Sequence, residues 1–155
     1  MKTIPVSILV PLKIEDNQLF LWAQKRRVDG PLNGFWEFPG GKIESDESAL
    51  NAIVREVREE VGITIDSSKL KLFKILPYEY SDRRVSLFTY IYPVIKRDEF
   101  PQNPENKDQL WHPLDQILYS PEALFPPANN EIFSSLKAYD LSELDEWLKL
   151  KEALC

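Results

Sequence analysis

Three glutamates in the middle of the chain share one face of a predicted helix. Glu56, Glu59 and Glu60 stand at positions i, i+3 and i+4, so their carboxylates lie side by side at one level of the helix. Like charges at this spacing destabilise a helix by a few tenths of a kcal/mol per pair. A divalent cation placed among them reverses that effect, and hard oxygen ligands suit Mg²⁺ or Mn²⁺. The three residues alone also allow a second interpretation, an ordinary solvated glutamate face.

The residues around these glutamates predict a loop, then a helix, then a residue that ends the helix. Gly40 and Gly41 permit a tight turn with close approach of the backbone to a ligand. Ser45 or Asp46 can cap the start of the helix, and Gly62 stands where a left-handed residue would end it. The apolar residues in between recur at helical spacing and are expected to face the core: Ala49, Leu50, Ile53 and Val57.

Two further charged residues bear on the glutamate face. Arg55 precedes Glu59 by four residues, so an ion pair between them can orient the Glu59 carboxylate. Glu47 lies about two turns earlier and can approach the same region from the start of the helix. Arg55 is therefore expected to position the carboxylates of Glu56 and Glu59, and these three residues are candidates for the chemistry of the site.

The composition describes a soluble domain of ordinary size. The chain has 155 residues, 43% of them hydrophobic and 28% charged, which suits a single domain spanning residues 1–155. The formal net charge of −6 argues against a surface for nucleic-acid polymers but allows a small phosphate-bearing ligand. Cys155 is the only cysteine, which excludes an internal disulfide and fits a reducing cytosol. With no apolar run of membrane-spanning length and no signal-peptide pattern, we expect a cytoplasmic protein without a membrane partner.

Hydrophobic periodicity predicts an alternation of strands and helices. The predicted strands cover residues 3–13, 19–24, 70–77, 85–94 and 110–114, and the helices besides the central one cover residues 130–138 and 141–154. Pro11 predicts that the first strand ends at an edge or a bulge, and Pro93 predicts the same for the fourth. This pattern alone indicates an α/β or α+β fold.

Other stretches carry residues with a functional interpretation of their own. Positive charge is concentrated at the end of a predicted strand, at Lys25, Arg26 and Arg27. Taken alone, these side chains are expected to be exposed to solvent. His112, the only histidine, lies beside a proline in a predicted turn and is expected to be structural. The polar loop 98–109 has a length typical of functional loops. The last helix has an apolar stripe that is expected to pack on the core, with a dimer contact as the alternative: Leu141, Leu144, Trp147, Leu148 and Leu154.

The stretch from Gly41 to Ile63 carries a complete sequence signature. It reads Gly-x5-Glu-x7-Arg-Glu-aliphatic-x-Glu-Glu-x-Gly-aliphatic at every specified position, a match expected by chance on the order of once in a billion starts. The stretch resembles the Nudix box of the Nudix hydrolases, which cleave nucleoside diphosphates linked to many different groups. The resemblance implies a box at residues 41–63 and the Nudix fold, a mixed β-sheet sandwiched between α-helices.

Outside the box the chain resembles the MutT branch of this family, whose members hydrolyse oxidised dGTP. Three stretches carry the likeness: residues 19–26, 78–87 and 124–136. Residues 36–42 resemble the usual entry to a Nudix box, and together with this entry the three stretches extend across most of residues 4–138. The predicted helix from Leu141 falls outside the resemblance.

The resemblance assigns roles to single residues. It implies a Mg²⁺ site, with Mn²⁺ as a substitute, formed by the Gly40 carbonyl, Glu56, Glu59, Glu60 and Glu105. It implies a phosphate contact for Arg26 and a nucleobase pocket formed by Phe38, Arg83 and Asn129. Two of these residues have structural alternatives, a core aromatic for Phe38 and a turn or helix cap for Asn129. Glu56 and Glu105 are the candidates for the general base that activates water.

The sequence leaves three functions open. The first is a Mg²⁺-dependent pyrophosphohydrolase that splits 8-oxo-dGTP into 8-oxo-dGMP and pyrophosphate, which cleans the nucleotide pool and prevents mutation. The second is a Nudix hydrolase of an ordinary dNTP, CTP or ADP-ribose. The third is a non-catalytic Nudix domain that senses a nucleotide and binds a partner, although such domains are expected to lose box glutamates and this chain has lost none. We expect a small nucleotide as the ligand and a monomer, with a dimer as the alternative.

Overall fold

The fold is seen in a computed structural model that describes residues 2–26, 34–94, 100–102, 108–119 and 125–138, with the single positions 142, 146 and 149. The strands in these residues are β1 (Thr3–Glu15), β2 (Gln18–Lys25), β3 (Trp36–Glu37), β4 (Gly40–Lys42), β5 (Lys71–Glu79), β6 (Arg84–Pro93) and β7 (Gln109–Pro113). The helices are α1 (Ala49–Val61), α2 (Leu114–Tyr119) and α3 (Asn130–Lys137), with 3₁₀ turns at Ser67–Lys69 and Pro127–Asn129.

The strands form one mixed sheet with β1 at its centre. The order is β3-β2-β1-β6-β5, and β1 runs parallel to β6, from Thr3 beside Arg84 to Leu12 beside Pro93. Strand β5 continues the sheet antiparallel to β6, and β2 lies antiparallel to β1 on the other side. Two short strands complete it, since β4 pairs with β1 and β7 pairs with β2. All five predicted strands are therefore confirmed.

The sheet buries an apolar layer on each face because side chains alternate along every strand. On one face, Leu9, Trp22 and Tyr90 pack against Ile53 and Val57 of α1. On the opposite face, the other set of strand residues packs against α2 and α3 through Leu114, Ile117, Ile132, Phe133 and Leu136. Helices cover both faces, which confirms the predicted mixed sheet between helices.

Strand β1 runs past Pro11 to Glu15, two residues beyond its predicted end, and its last three residues pair with β2 alone, which fits the edge predicted for this end. Leu9 donates its N–H to the Pro39 carbonyl at 2.9 Å, on the side where β4 lies, and position 11 faces the same way. On that side, residues 6–8 pair with β4 and residues 12–15 pair with β2. Pro11 lies between the two pairings, where its missing N–H costs no ladder hydrogen bond.

The cap of helix α1 is Ser48, and the predicted caps Ser45 and Asp46 were placed too early. The Ser48 side chain accepts a hydrogen bond from the N–H of Asn51 at 3.0 Å. At the other end Gly62 has a φ of +83° and its N–H bonds to carbonyls of the last turn, as predicted for a left-handed end. The four apolar residues predicted to face the core all belong to the cluster beneath the helix: Ala49, Leu50, Ile53 and Val57.

The region of His112 differs from the predicted turn. His112 lies inside β7, and the chain continues directly into α2, a helix that periodicity did not predict. Its ring centroid lies 4.3 Å from that of Trp36 and 5.9 Å from that of Phe125. Burial lowers the pKa of His112 to about 4, so the ring is neutral at physiological pH. This packing among aromatic side chains agrees with the structural role expected for it.

Two predicted features lie largely outside the described residues. Of the loop 98–109 the structure describes only residues 100–102, 108 and 109. Of the predicted helix 141–154 it describes Ser142, Glu146 and Lys149, which are helical and exposed. The apolar stripe of that helix stays a prediction. Within the described part of the chain, no helix combines the length and apolar character needed to cross a membrane.

Two fully buried hydroxyl groups on adjacent strands differ in their hydrogen bonding. The Ser7 hydroxyl on β1 donates to the carbonyl oxygen of Ala49 at 2.8 Å, which ties β1 to the start of α1. The Thr89 hydroxyl on β6 has no hydrogen-bond partner among the described residues. A buried polar group without a partner costs about 1–3 kcal/mol.

We predict opposite effects when each hydroxyl is removed. Thr89→Val keeps the shape of the side chain and removes the unpaired group, so the free energy of unfolding is expected to rise by about 1 kcal/mol. Ser7→Ala loses a buried hydrogen bond and is expected to lower that free energy by about 1 kcal/mol. Urea unfolding of both variants measures the difference. A destabilised Thr89→Val variant would show that the hydroxyl has a partner in solution, such as a buried water.

Candidate active site

Gly40 and Gly41 bring the backbone of β4 against β1 on one side and α1 on the other. A Cβ atom at Gly40 would collide with the Ser7 carbonyl and with Ile8 of β1. A Cβ atom at Gly41 would collide with the carboxylate of Glu56 on α1. Backbone contacts leave no room for a side chain at Gly40, and the absence of one at Gly41 lets the Glu56 carboxylate lie directly against the backbone.

Glu60 reaches from α1 to the same turn. Its Oε2 accepts hydrogen bonds from the Gly40 N–H and from Nε2 of Gln24, both at 3.3 Å. The residue as a whole is exposed, but its carboxylate is crowded by these neighbours and loses part of its hydration. This desolvation is the main reason that the pKa of Glu60 rises to about 8; the Gly40 hydrogen bond opposes the rise, and the charges of Glu56 and Glu37 add to it. Without a cation, Glu60 is therefore mostly protonated at neutral pH.

The Arg55 guanidinium holds the other carboxylates of the region. Its Nη1 donates to Glu56 Oε1 at 2.8 Å and to Glu59 Oε2 at 3.3 Å, which confirms the predicted i,i+4 pair. Its Nε and Nη2 donate to Glu47 at 3.1 and 2.6 Å, and Nη2 also donates to the Lys42 carbonyl at 3.1 Å. These bonds from Arg55 are the main reason that the pKa of Glu47 is lowered. Glu47 thus approaches the glutamate face through Arg55.

The carboxylates of α1 are suited in chemistry to a divalent cation. Glu56 and Glu60 converge at the glycine turn, whereas Glu59 is paired with Arg55 and its side chain is 60% exposed. Among the described residues, no three acidic, histidine or cysteine side chains are gathered closely enough to form a metal site by themselves. Burial is the main cause of the raised pKa of Glu60, and a cation bound beside it would favour the ionised carboxylate. Carboxylates are hard oxygen ligands, which suit Mg²⁺ or Mn²⁺.

A cavity of about 370 Å³ opens beside the glycine turn. Gly40 and Gly41 line it, so the cavity and the glutamate cluster share one wall. The apolar part of its lining comes mainly from two central strands: Ile4, Val6 and Ile8 of β1, and Val85 and Leu87 of β6. Its polar side chains are Arg26, Glu37, Lys42, Tyr80, Arg83 and Asn129. A cavity of this kind suits a ligand that has a flat apolar part and a charged part.

Arg26 and Glu37 form an ion pair in the cavity wall. The Nη1 of Arg26 lies 3.4 Å from Oε2 of Glu37, which is long for a hydrogen bond between charged groups. Burial raises the pKa of Glu37, and the neighbouring Arg26 opposes this rise. Glu37 thus holds Arg26 loosely, and the guanidinium keeps donors that no described residue takes up.

Phe38 and Asn129 also line the cavity. Phe38 is 6% exposed and its ring centroid lies 5.4 Å from Phe125 and 6.0 Å from Phe133, so it belongs to both the core and the cavity wall. Asn129 is 8% exposed, yet its side chain makes no cap hydrogen bond to α3 and bonds to no other described residue. Asn129 thus occupies a 3₁₀ turn and the cap position of α3, as its structural alternative predicted, but its carboxamide does not act as a cap and is available to a ligand.

Tyr80 and Arg83 bound the cavity at the turn between β5 and β6. The Tyr80 N–H donates to the Arg83 carbonyl at 2.7 Å, and the Arg83 guanidinium carbon lies 5.2 Å from the centre of the Tyr80 ring. The Tyr80 ring also meets the Tyr78 ring edge to face, with the ring centroids 4.8 Å apart. The structure thus brings all four residues predicted to bind substrate to one cavity, while Glu105 lies outside the described residues.

Three further residues lie at the candidate site although they were not predicted from the sequence: Gln24, Glu37 and Tyr80. Gln24 bonds to Glu60 only because β2 passes beside the glycine turn, and no local pattern reports that pairing. Tyr80 reaches the cavity from a turn in which aromatic residues carry no distinct signal. Glu37 had one usable signal, since it is a charged residue among buried aromatic ones directly before the glycine turn.

The raised pKa of Glu60 predicts how the stability of the metal-free protein depends on pH. Glu60 keeps its proton up to about pH 8 when folded, but only to about pH 4.5 when unfolded. The folded state binds more protons between these values, so stability falls as the pH rises through this window. We predict that Glu60→Gln flattens this slope and is more stable than the unmodified protein at about pH 8.

Urea unfolding in EDTA across the same pH range measures this effect. Glu131→Gln, which changes an exposed glutamate of α3, is the matched control and should keep the original slope. Identical slopes for the unmodified protein and Glu60→Gln would contradict the assignment.

Comparison with known proteins places the chain in a family. A sequence profile of the NUDIX domain matches residues 3–136. The chain is 34% identical over 137 residues to the 8-oxo-dGTP diphosphatase of Escherichia coli K12, which covers 88% of this chain and 98% of that protein. It is 52% identical over 50 residues to the CTP pyrophosphohydrolase of the same strain, which covers 32% and 36% of the two chains. The crystal structure of the MutT NUDIX hydrolase from Burkholderia pseudomallei shares the fold, with a TM-score of 0.67 and 20% identity over 88% of this chain and 99% of that one. The chain therefore belongs to the Nudix hydrolase family.

Proposed function

We propose that this Nudix hydrolase is a Mg²⁺-dependent pyrophosphohydrolase that converts 8-oxo-dGTP to 8-oxo-dGMP and pyrophosphate. The observation that carries the proposal is the unpaired Asn129 carboxamide in a cavity that shares its Gly40–Gly41 wall with the box glutamates. The Escherichia coli relative that aligns with most of the chain is named an 8-oxo-dGTP diphosphatase. The reaction removes an oxidised nucleotide from the pool that supplies DNA synthesis and so prevents mutation.

The site must first bind a triphosphate, whose dense negative charge repels an attacking nucleophile. Arg26 lines the cavity with unused donors and is the residue to which we assign the phosphate chain. The metal would be held by the α1 carboxylates with two further ligands: Glu56, Glu59, Glu60, the Gly40 carbonyl and Glu105. When bound, a divalent metal supplies Lewis-acid charge and lowers the pKa of its water.

The side chains then place the water and take its proton. Water attacks the β-phosphorus, and the bond from that phosphorus to the oxygen shared with the α-phosphorus breaks. The shared oxygen leaves with the nucleoside monophosphate, and the oxygen of water ends in pyrophosphate. The proton of the water passes to a carboxylate, either Glu56 or Glu105. Arg55 acts through its bonds to Glu56 and Glu59, which fix the direction of both carboxylates.

The base is distinguished by the Asn129 carboxamide. In guanine N7 is only an acceptor, whereas in the 8-oxo form N7 carries a proton and becomes a donor. The Asn129 oxygen can accept from N7–H while its nitrogen donates to O6, which gives two hydrogen bonds to the oxidised base. Against ordinary guanine, the Asn129 oxygen faces another acceptor and the mismatch costs about 1–3 kcal/mol. Phe38 supplies the flat apolar wall for the ring.

A second candidate is hydrolysis of an ordinary nucleoside triphosphate such as CTP. The observation in its favour is the 52% identity over 50 residues to a protein named CTP pyrophosphohydrolase. That alignment covers only 32% of this chain. The 8-oxo-dGTP diphosphatase alignment extends over 88% of it and is the stronger support.

The composition supports a cellular compartment and a kind of substrate for the reaction. We assign the activity to a monomer in the cytoplasm that acts as one domain across residues 1–155. The single cysteine and the net charge of −6 support a reducing compartment and a small anionic substrate held by local cations.

The first prediction concerns choice of the base. We expect kcat/KM for 8-oxo-dGTP to exceed that for dGTP and CTP, since each unpaired group in a mismatch costs about 1–3 kcal/mol. Asn129→Ala should reduce the ratio of 8-oxo-dGTP to dGTP by weakening binding of the oxidised nucleotide. Asn130→Ala removes the exposed neighbouring carboxamide and should keep the ratio. Equal kcat/KM for 8-oxo-dGTP and dGTP in the unmodified enzyme would reject the proposed substrate.

The second prediction concerns the phosphate contact. Arg26→Ala should lower kcat/KM roughly ten- to a hundredfold on every triphosphate, because a charge-assisted contact contributes about 1.5–3 kcal/mol. The ranking of bases should stay the same. Lys25→Ala removes the adjacent exposed charge and serves as the control, with activity close to that of the unmodified enzyme. If Arg26→Ala reorders the bases at an unchanged overall rate, Arg26 binds the base and not the phosphates.

A further inference from the structure

Tyr80 is a polar residue of the cavity to which no part of the nucleotide has been assigned. Its side chain lines the cavity, and its hydroxyl group makes no hydrogen bond to any residue in the described part of the chain. Arg26 is assigned to the phosphates and Asn129 to the base. A nucleotide has a third polar part, the sugar, which lies between the other two.

Two neighbouring side chains contact the Tyr80 ring. The Tyr78 ring meets it edge to face at 4.8 Å, and the Arg83 guanidinium carbon lies 5.2 Å from its centre. The backbone of Tyr80 is fixed by its 2.7 Å hydrogen bond to the Arg83 carbonyl. The hydroxyl is therefore positioned before a ligand arrives, which reduces the entropy lost on binding.

Tyr80 lines the same cavity as Arg26 and Asn129, the residues assigned to the phosphates and to the base. Burial raises the pKa of Tyr80, and the positive charges of Arg83 and Arg26 act on it in the opposite direction. The phenol is therefore protonated at neutral pH and can donate a hydrogen bond. The nearby lining residues of β6, Val85 and Leu87, offer no competing polar group.

We propose that Tyr80 recognises the sugar of the nucleotide through a hydrogen bond between its hydroxyl and the 3′-hydroxyl of the deoxyribose. The inference rests on the proposed function, because the 3′-hydroxyl is the one free hydroxyl in the sugar of a 2′-deoxynucleoside triphosphate. Phenol and alcohol are each donor and acceptor, so they pair in either direction. Tyr80 then makes the enzyme distinguish nucleotides with a free 3′-hydroxyl from those that lack it.

The test removes the hydroxyl from each partner in turn. Tyr80→Phe keeps the ring and its contacts with Tyr78 and Arg83, and the substrates are 8-oxo-dGTP and its 2′,3′-dideoxy counterpart. The unmodified enzyme is expected to prefer the 3′-hydroxyl substrate roughly three- to tenfold in kcat/KM. In Tyr80→Phe, kcat/KM for 8-oxo-dGTP should fall by the same factor, and kcat/KM for the dideoxy compound should not change. Tyr78→Phe, which changes a tyrosine that does not line the cavity, is the matched control and should keep the original preference.

Two results would overturn the role of Tyr80. One is an equal kcat/KM of the unmodified enzyme for the two sugars, and the other is an equal loss on both substrates in Tyr80→Phe. If the enzyme does not prefer 8-oxo-dGTP over dGTP, the proposed substrate is rejected. The same comparison of 3′-hydroxyl and dideoxy sugars is then made with the nucleotide that the enzyme prefers, and it still decides the role of Tyr80. An enzyme that hydrolyses none of these nucleotides overturns both proposals.

Discussion

One guanidinium group, that of Arg55, holds together carboxylates that would otherwise repel one another. It donates hydrogen bonds to Glu47, Glu56 and Glu59, and to a carbonyl of β4, which fixes α1 against the glycine turn. Glu60 alone among the box glutamates of α1 has no bond to Arg55 in the described structure; its carboxylate accepts a hydrogen bond from the Gly40 N–H, and burial raises its pKa. The carboxylates of Glu56 and Glu60 thus lie beside the backbone of the turn, where we expect a cation to bind for phosphate chemistry.

The glycine turn joins the two halves of the site. On one side lie the carboxylates of α1, and on the other lies a cavity with an apolar lining and a few polar groups. A Cβ atom at Gly40 or Gly41 would collide with its neighbours, so close contact sets the separation of the two halves. Strand β1 supports both halves, because it pairs with β4 and supplies part of the cavity lining. A phosphate chain bound between the halves would connect the base to the metal at a fixed distance.

Features that depend on near neighbours in the chain could be predicted from the sequence. The helical end at Gly62, the period of α1 and the positions of the long strands all belong to this class. The choice between neighbouring residues of similar type and the pairing of distant segments could not be predicted. Ser48 caps α1 in place of earlier residues of similar type, and Pro11 is tolerated because β1 changes partner beside it. For the candidate site, the box pointed to the glutamates and the resemblance pointed to Asn129, whereas Tyr80 joins the cavity only through the pairing of β5 with β6.

The central claim is that the box glutamates form a divalent-cation site, and Mn²⁺ binding tests it most directly. The electron paramagnetic resonance signal of free Mn²⁺ measures affinity without any substrate. The account predicts binding to the unmodified protein that weakens by about tenfold or more in Glu59→Gln and in Glu60→Gln. Glu131→Gln should bind like the unmodified protein, and circular dichroism should show that all variants are folded. An unchanged Mn²⁺ affinity in both box variants would contradict the account.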